Sequence, residues 1–397
     1  MTGLLHLPPE LVEEISSLLD PTDLCAVRLT CKALNTTTFS PFWKRTLRTI
    51  KTDLSFTSLQ RLSAISSDTQ LRRYVQKLTI RAFNRDEGVL GKGCRWERHS
   101  SGHIINMHKQ PAGQKLDRIL CHFINCNSIQ IETTSTERPE PLNIFTATDA
   151  IMIIMNINKE AGLTIRSFTL DIFFMGMGDG DQELANLDPR RLQLSEAHYV
   201  AMGANLEELD VRYRPDSDPA NDWPLNVMLH APGLRKLRLA CHAMERVSFP
   251  IFTLRLALMD LPCQHLQELE FFSIYTPIEY FIALLRKFKQ SLRALKLQAV
   301  RIRSTLDDLK QMFRAMGTFP ALETINVKLI ESGPSGWRSI HFPAVAQKPV
   351  VDEAQGTTIG FDEWPHYNGL SCVEYSGPNM NVALNILAEA MKFTSEW

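Results

Sequence analysis

Apolar positions at the start of the chain recur at helical spacing: Leu11, Ile15, Leu18 and Leu19 fall at i, i+4, i+7 and i+8, one stripe of one helix. Pro8 and Pro9 open it, since first-turn N–H groups have no intrahelical partner, and Glu10, Glu13 and Glu14 suit the positive end of its dipole. Asp20-Pro21 ends it, because the residue before a proline is pushed out of the α region. Thr22 or Asp23 can cap a second helix, with Leu24, Val27, Cys31 and Leu34 as its stripe. Asn35 to Thr38 competes with helical bonding, and Ser40-Pro41 starts a third helix with Trp43, Leu47 and Ile50 as its apolar face. Three short helices in about forty residues bury too little for a self-sufficient core, which predicts an outside partner.

Farther along, the period changes. A motif of leucine, two residues, leucine, one residue and a further apolar residue recurs at Leu206-Leu209-Val211, Leu234-Leu237-Leu239, Leu266-Leu269-Phe271, Leu292-Leu295-Leu297 and Leu322-Ile325-Val327. Its middle residue steps by 28, 32, 26 and 30 positions. That interval and pattern are the signature of leucine-rich repeats, each giving one strand and one returning helix. Tyr280, Leu284, Leu285 and Phe288 form one helical stripe, and Leu306, Leu309, Met312, Phe313 and Met316 another. Weaker copies stand at Val75-Leu78-Ile80, Ile124-Ile129-Ile131, Phe168-Leu170-Ile172 and Leu370-Val373-Tyr375. The asparagine or cysteine that closes a regular repeat is mostly missing, so an irregular solenoid is expected.

The N-terminal segment resembles the F-box family. That family runs from a leucine-proline pair through glutamate-leucine and aspartate-leucine pairs to a cysteine with a following basic residue and a later tryptophan. Here these are Leu7-Pro8, Glu10-Leu11, Asp23-Leu24, Cys31-Lys32 and Trp43. Thr30 and Leu34 depart from the family's valine before the cysteine and large aromatic three residues after it. The resemblance implies docking through Leu7, Pro8, Leu11, Ile15, Leu18 and Leu24 on the Skp-type adaptor of a cullin-RING ubiquitin ligase. It leaves the remaining chain to hold a substrate.

Composition narrows the alternatives. The 397 residues, 44% of them hydrophobic, predict two or three globular domains at about 150 residues each. A net charge of −1 gives no global field to recruit nucleic acid or membrane. Locally, residues 1–27 hold only acids, whereas Arg28 to Arg85 is basic. The 8 cysteines lack paired zinc spacing, Cys121 and Cys126 included, so reduced thiols in the cytoplasm or nucleus are expected, with no metal and no cofactor. No basic-then-apolar leader opens the chain, and its longest apolar run, Ala150 to Met155, is far shorter than a membrane span.

Candidate chemistry is sparse. His99, His103 and His108 share a glycine-rich stretch, but no helix places two of them beside a glutamate. Gly176-Met177-Gly178-Asp179-Gly180 lacks the third glycine of a dinucleotide fingerprint, and neither a GxSxG elbow nor a cysteine-histidine signature occurs. No catalytic residue is assigned. Two interruptions of the period, near 86–115 and 331–369, suit binding loops, with Trp96, Trp337, Trp364 and Tyr367 as their aromatic anchors. Between Glu279 and Asp307 stand Arg286, Lys287, Lys289, Arg293, Lys296, Arg301 and Arg303 without an acid, a surface suited to a phosphorylated or acidic substrate. Arg293, Lys296, Arg301, Trp337 and Trp364 are the candidate substrate contacts.

The resulting expectation is an α/β chain: a three-helix F-box at 1–50, then a degenerate leucine-rich-repeat solenoid with a parallel sheet at 51–397. It would act as a substrate receptor without enzymatic activity. The alternatives are a non-degradative F-box scaffold and, with little behind it, an enzyme hidden in 86–200.

Overall fold

A computed structural model describes residues 7–81, 90–132, 145–171, 187, 191–213, 223–241, 261–333, 337–343, 345, 350–352, 357–359 and 372–393. Trp364, Tyr367, Leu370, Ile172 and Gly176 to Gly180 lie outside them. Two compact units divide the chain: Met1–Glu183 with Arg190–Gln193, and Leu184–Pro189 with Leu194–Trp397.

The first unit begins with helices α1 (Pro9–Leu18), α2 (Pro21–Thr30), α3 (Lys32–Thr37) and α4 (Phe39–Thr46). Four helices replace the expected three because Cys31, at φ −160° and ψ 161°, breaks the second one. The cap of α2 is Asp20, neither Thr22 nor Asp23: its carboxylate accepts the Asp23 N–H at 2.8 Å, leaving Pro21 in the first turn. Helix α4 starts earlier than Ser40-Pro41 suggests, with Thr38 as the flanking residue and its hydroxyl donating to the Leu34 carbonyl at 2.6 Å. Ile50 is not helical; it sits buried in strand β1 (Thr49–Thr52).

After β1 come α5 (Phe56–Ser67), β2 (Lys77–Arg81), α6 (Pro111–His122), β3 (Ser128–Glu132), α7 (Ala147–Ala161) and β4 (Ser167–Asp171). These strands pair in chain order, all parallel, with Ile50 opposite Leu78, Leu78 opposite Ile129 and Ile129 opposite Phe168. Alternation buries Leu78, Ile80, Ile129, Ile131, Phe168 and Leu170 on one face. Ile124, expected with them, is exposed in the turn before β3. Helix α7 is enclosed on all sides, from Ala147 through Met155, as its nearly unbroken apolar run requires.

The second unit holds α8 (Glu196–Gly203), β5 (Glu208–Tyr213), α9 (Trp223–Met228), β6 (Lys236–Cys241), β7 (Glu268–Phe272), β8 (Tyr275–Pro277), α10 (Ile278–Lys287), β9 (Ala294–Gln298), β10 (Arg301–Arg303) and α11 (Leu306–Met316). It continues with β11 (Thr324–Lys328), β12 (Glu331–Ser332), β13 (Arg338–His341), β14 (Val350–Asp352), β15 (Thr357–Ile359), β16 (Cys372–Ser376), α12 (Met380–Ala390) and β17 (Lys392–Phe393). Strands β5, β6, β7, β9 and β11 form a parallel sheet in that order, placing Leu209, Leu237, Leu269, Leu295 and Ile325 in one register row. Strand β16, with Val373 and Tyr375, closes it antiparallel to β11 and so is no further copy of the parallel unit. In α10 the inward aromatic is Phe281, while Tyr280 is only half-buried.

One hydrogen-bond device recurs along the parallel strands of each unit. The Arg48 carbonyl accepts the N–H groups of Gln76 and Lys77; Gln76 does the same for Asn127 and Ser128, and Asn127 for Arg166 and Ser167. In the second unit Glu207, Arg235, Gln267 and Arg293 each take the corresponding pair from the next strand. Each carbonyl thus satisfies two donors that would otherwise be lost where a strand begins.

A second, shorter ladder flanks the main sheet of this unit. Strands β8, β10 and β12 pair in parallel, β13 runs antiparallel to β12, and β17 antiparallel to β13. Entry into each short parallel strand uses the same backbone step: Ser273, Ala299 and Leu329 all have φ +52°, each followed by a buried Ile274, Val300 or Ile330. Among the described residues, strands β14 and β15 pair with each other, antiparallel.

Candidate functional site

Helix α1 turns its apolar stripe outward. Leu11 is 45% and Leu18 81% exposed, with Leu7 and Ile15 also exposed, whereas Val12, at 3%, and Ser16 face the module's interior. A core-forming helix would do the reverse. Leu24 departs from the expected contact set: it is completely buried, filling the small core with Leu34, so no surface of it is available to a partner. Leu29 of α2, 87% exposed, was not singled out by the sequence because it lies off the stripe of Leu24, Val27 and Leu34. Trp43 packs edge-on against Phe42 at 4.8 Å and Phe39 at 6.0 Å, and Arg28 stacks on the Phe42 ring at 4.2 Å. The Asp23 N–H holds the Asp20 carboxyl below its ordinary value.

Residues 4–49 match the F-box-like family model. The match supports the F-box protein family and ends at Thr49, the first residue of β1. No curated protein matches the chain as a relative. F-box domains typically bind Skp-type adaptors. The exposed stripe of the F-box-like domain is therefore its candidate docking surface.

Beyond the F-box-like domain, the outward positions of the second unit's main sheet form a row of alternating sign. Asp210, Arg238, Glu270 and Lys296 occupy neighbouring strands in register, followed by Asn326 and Glu374. Arg238 bridges Asp210 at 3.1 Å and Glu270 at 2.7 Å, and the Asn326 amide donates to Glu374 at 2.7 Å. Two residues earlier on each strand, Lys236 spans Glu208 and Glu268, at 3.5 and 3.2 Å. The Glu268 carboxylate holds the Lys236 ammonium above its ordinary value. Burial works against the Arg238 guanidinium, but Glu270 and Asp210 outweigh it, and its pKa is raised.

The basic cluster of the sequence is consequently dispersed. Lys296 is exposed, but lies in register with Glu270, and Arg293 is exposed just before the same strand. Arg301 belongs to the other ladder, where its Nε donates to Glu331 at 2.6 Å. The run without acids is thus acid-free only along the chain. The structure does unite Arg301 with Trp337, the guanidinium lying 5.9 Å from the ring centre, and Tyr275 meets that ring edge-on at 5.3 Å. Arg293 and Lys296 belong to a different sheet.

In the 86–115 interruption, the described part is fastened down. Trp96 packs on Phe145 at 5.6 Å, and Arg98 forks the buried Asp149 carboxylate at 2.8 and 3.0 Å. Arg191 reaches the same carboxylate at 3.4 Å, and Asp149 also accepts the Thr146 N–H at 2.9 Å, capping α7. His99 and His103 stack at 4.8 Å, with the Ser101 hydroxyl oxygen 3.0 Å from one Nδ1 and 2.8 Å from the other. His108 is exposed. Among the described residues, no group of three or more His, Cys, Asp or Glu is placed to hold a metal ion, and no helix is long and apolar enough to cross a membrane. Burial pushes the Cys126 thiol up to about 12 and that of Cys263 to about 11, far from the thiolate range a nucleophile needs.

Proposed function

We propose that this chain is the substrate-recognition subunit of an SCF-type ubiquitin ligase, in which the F-box-like domain docks on a Skp-type adaptor and, through it, a cullin. The outward apolar stripe of α1, with Leu7 just before it, carries this reading: Leu7, Leu11, Ile15 and Leu18 stand exposed while Val12 and Leu24 fill the interior. In this proposal residues 51–397 act as a degenerate leucine-rich-repeat solenoid that holds a protein substrate, and the chain works by proximity, without catalytic residues or a cofactor of its own. The recurring double-donor carbonyls and the near-constant interval between strands support the repeat reading. The setting is the cytoplasm or the nucleus.

Co-purification with a Skp-type adaptor tests it. Replacing Leu7 and Leu11 with alanine removes two exposed anchors at about 2 kcal/mol each, so capture should fall on the order of a thousandfold while thermal unfolding stays put. Undiminished capture by the double variant would refute the docking surface. Substrate-dependent ubiquitin transfer in a reconstituted ligase then distinguishes a receptor from a scaffold that delivers nothing.

A further inference from the structure

The short ladder of the second unit presents an exposed tryptophan that is already fixed in place. Tyr275, Arg301 and Glu331 share one register row across β8, β10 and β12, and Ser339 continues it onto β13. Ile302 and Ser332 are fully buried between them, so this row faces outward. Trp337, two residues before Ser339, falls on the same face by alternation, and its contacts with Tyr275 and Arg301 agree. It remains 41% exposed. An indole held from one edge by Tyr275 and from another direction by Arg301 has little rotamer freedom left to lose when a partner arrives.

Charge selects the kind of partner. Arg301 is engaged by Glu331, whereas Arg303, two residues along β10 and therefore on the same face, is exposed. The outward positions named here thus hold two guanidiniums and one carboxylate. The main sheet differs, because there the exposed Lys296 has Glu270 as its register neighbour. Three strands span about 10 Å, the length of roughly three residues of extended chain.

We infer that the Trp337 surface docks a short extended acidic segment of a partner protein. An apolar side chain of that segment lies on the indole, and a carboxylate or phosphate is taken by Arg303. The partner's role as a substrate rests on the receptor reading above; the surface itself does not.

The test uses the full chain and three pools of immobilised ten-residue peptides, each with a central leucine flanked by two aspartates, two phosphoserines or two lysines. The aspartate or phosphoserine pool should retain the chain at least about tenfold better than the lysine pool, with retention falling as salt rises. Retention by phosphoserine alone identifies phosphate as the required anion; retention by aspartate shows that a carboxylate suffices. Trp337→Ala and Arg303→Glu should each lower retention about tenfold, whereas the pair Arg293→Glu and Lys296→Glu should leave it unchanged. Trp337→Phe, which keeps an aromatic ring, guards against a folding defect, and unfolding midpoints are compared throughout. Equal retention by the lysine pool, retention by none, or undiminished binding by Arg303→Glu overturns the inference. Adaptor capture is measured on the same samples: its loss in the unaltered chain would defeat the ligase reading while leaving acidic-peptide binding to stand or fall by itself.

Discussion

At the residue scale, Asp149 shows how much one buried charge can decide. Its side chain is 1% exposed, caps α7 and accepts the Arg98 fork, so it ties the segment after Gly91 to the most enclosed helix of the first unit. Removing one member of a buried ion pair leaves the other's desolvation uncompensated. Asp149→Ala should therefore cost about 3–5 kcal/mol in denaturant unfolding. A loss below about 1 kcal/mol would show that the pair contributes only as a surface bridge does. His103 offers a pH-dependent counterpart on the same segment, a hairpin in which Arg98 and Ile104 pair antiparallel. Burial, and then the neighbouring His99, hold its imidazole below the ordinary value of 6.5, so the folded hairpin favours the neutral ring. That contribution is fully present above 6.5 and disappears as pH falls through the lower folded value. Exchange of the Gly102 amide, which donates to the His99 carbonyl at 2.8 Å, should accelerate beyond its intrinsic pH dependence over that window. His103→Gln should abolish the excess, and an imidazole titrating at or above 6.5 would contradict the argument.

At the scale of elements, the strands of the main sheets were the most legible part of the sequence. Leu237 and Leu239 announce β6 because alternate apolar residues survive only where one face is buried. The outward residues carry less energy. Leu237→Ala should cost about 2–5 kcal/mol, Arg238→Ala about 1 or less, as measured by denaturant unfolding; equal losses would mean that the charged row, not the leucine row, holds the strands. The short ladder was invisible in the sequence for two physical reasons. Its parallel strands are two or three residues long, too short for a period to register. Its entry steps put Ser273, Ala299 and Leu329 at positive φ, where glycine or asparagine would normally advertise the turn. Trp337 and Arg301 were recognisable singly, as an aromatic in a loop and a base in a cluster, but their meeting depends on this hidden ladder. Likewise Ile50 read as helical because one apolar residue in Thr49–Thr52 has no period of its own.

At the scale of the first unit and what precedes its sheet, the F-box-like match ends at Thr49 and β1 begins at the same residue. No connecting segment separates the F-box-like module from the sheet: the Arg48 carbonyl already accepts the Gln76 and Lys77 amides. The apolar stripe of α1 therefore belongs to a module joined directly to the strands of the first unit, as the proposed receptor role requires if one bound protein is to be held in a set place relative to another. This junction also dictates where the chain tolerates a cut. A fragment of residues 48–397 keeps β1 with its partner amides on β2, whereas one of residues 54–397 loses Ile50 and all four register pairs from Thr49 to Thr52. Loss of a buried isoleucine costs about 1.5–3 kcal/mol, and β2 is left with an unpaired edge that favours association between chains. Both fragments lack the F-box-like helices, so comparing their thermal unfolding isolates β1. The longer should unfold cooperatively at the higher midpoint, the shorter at a lower one and with aggregation. Equal midpoints would mean that the sheet of the first unit does not depend on its first strand.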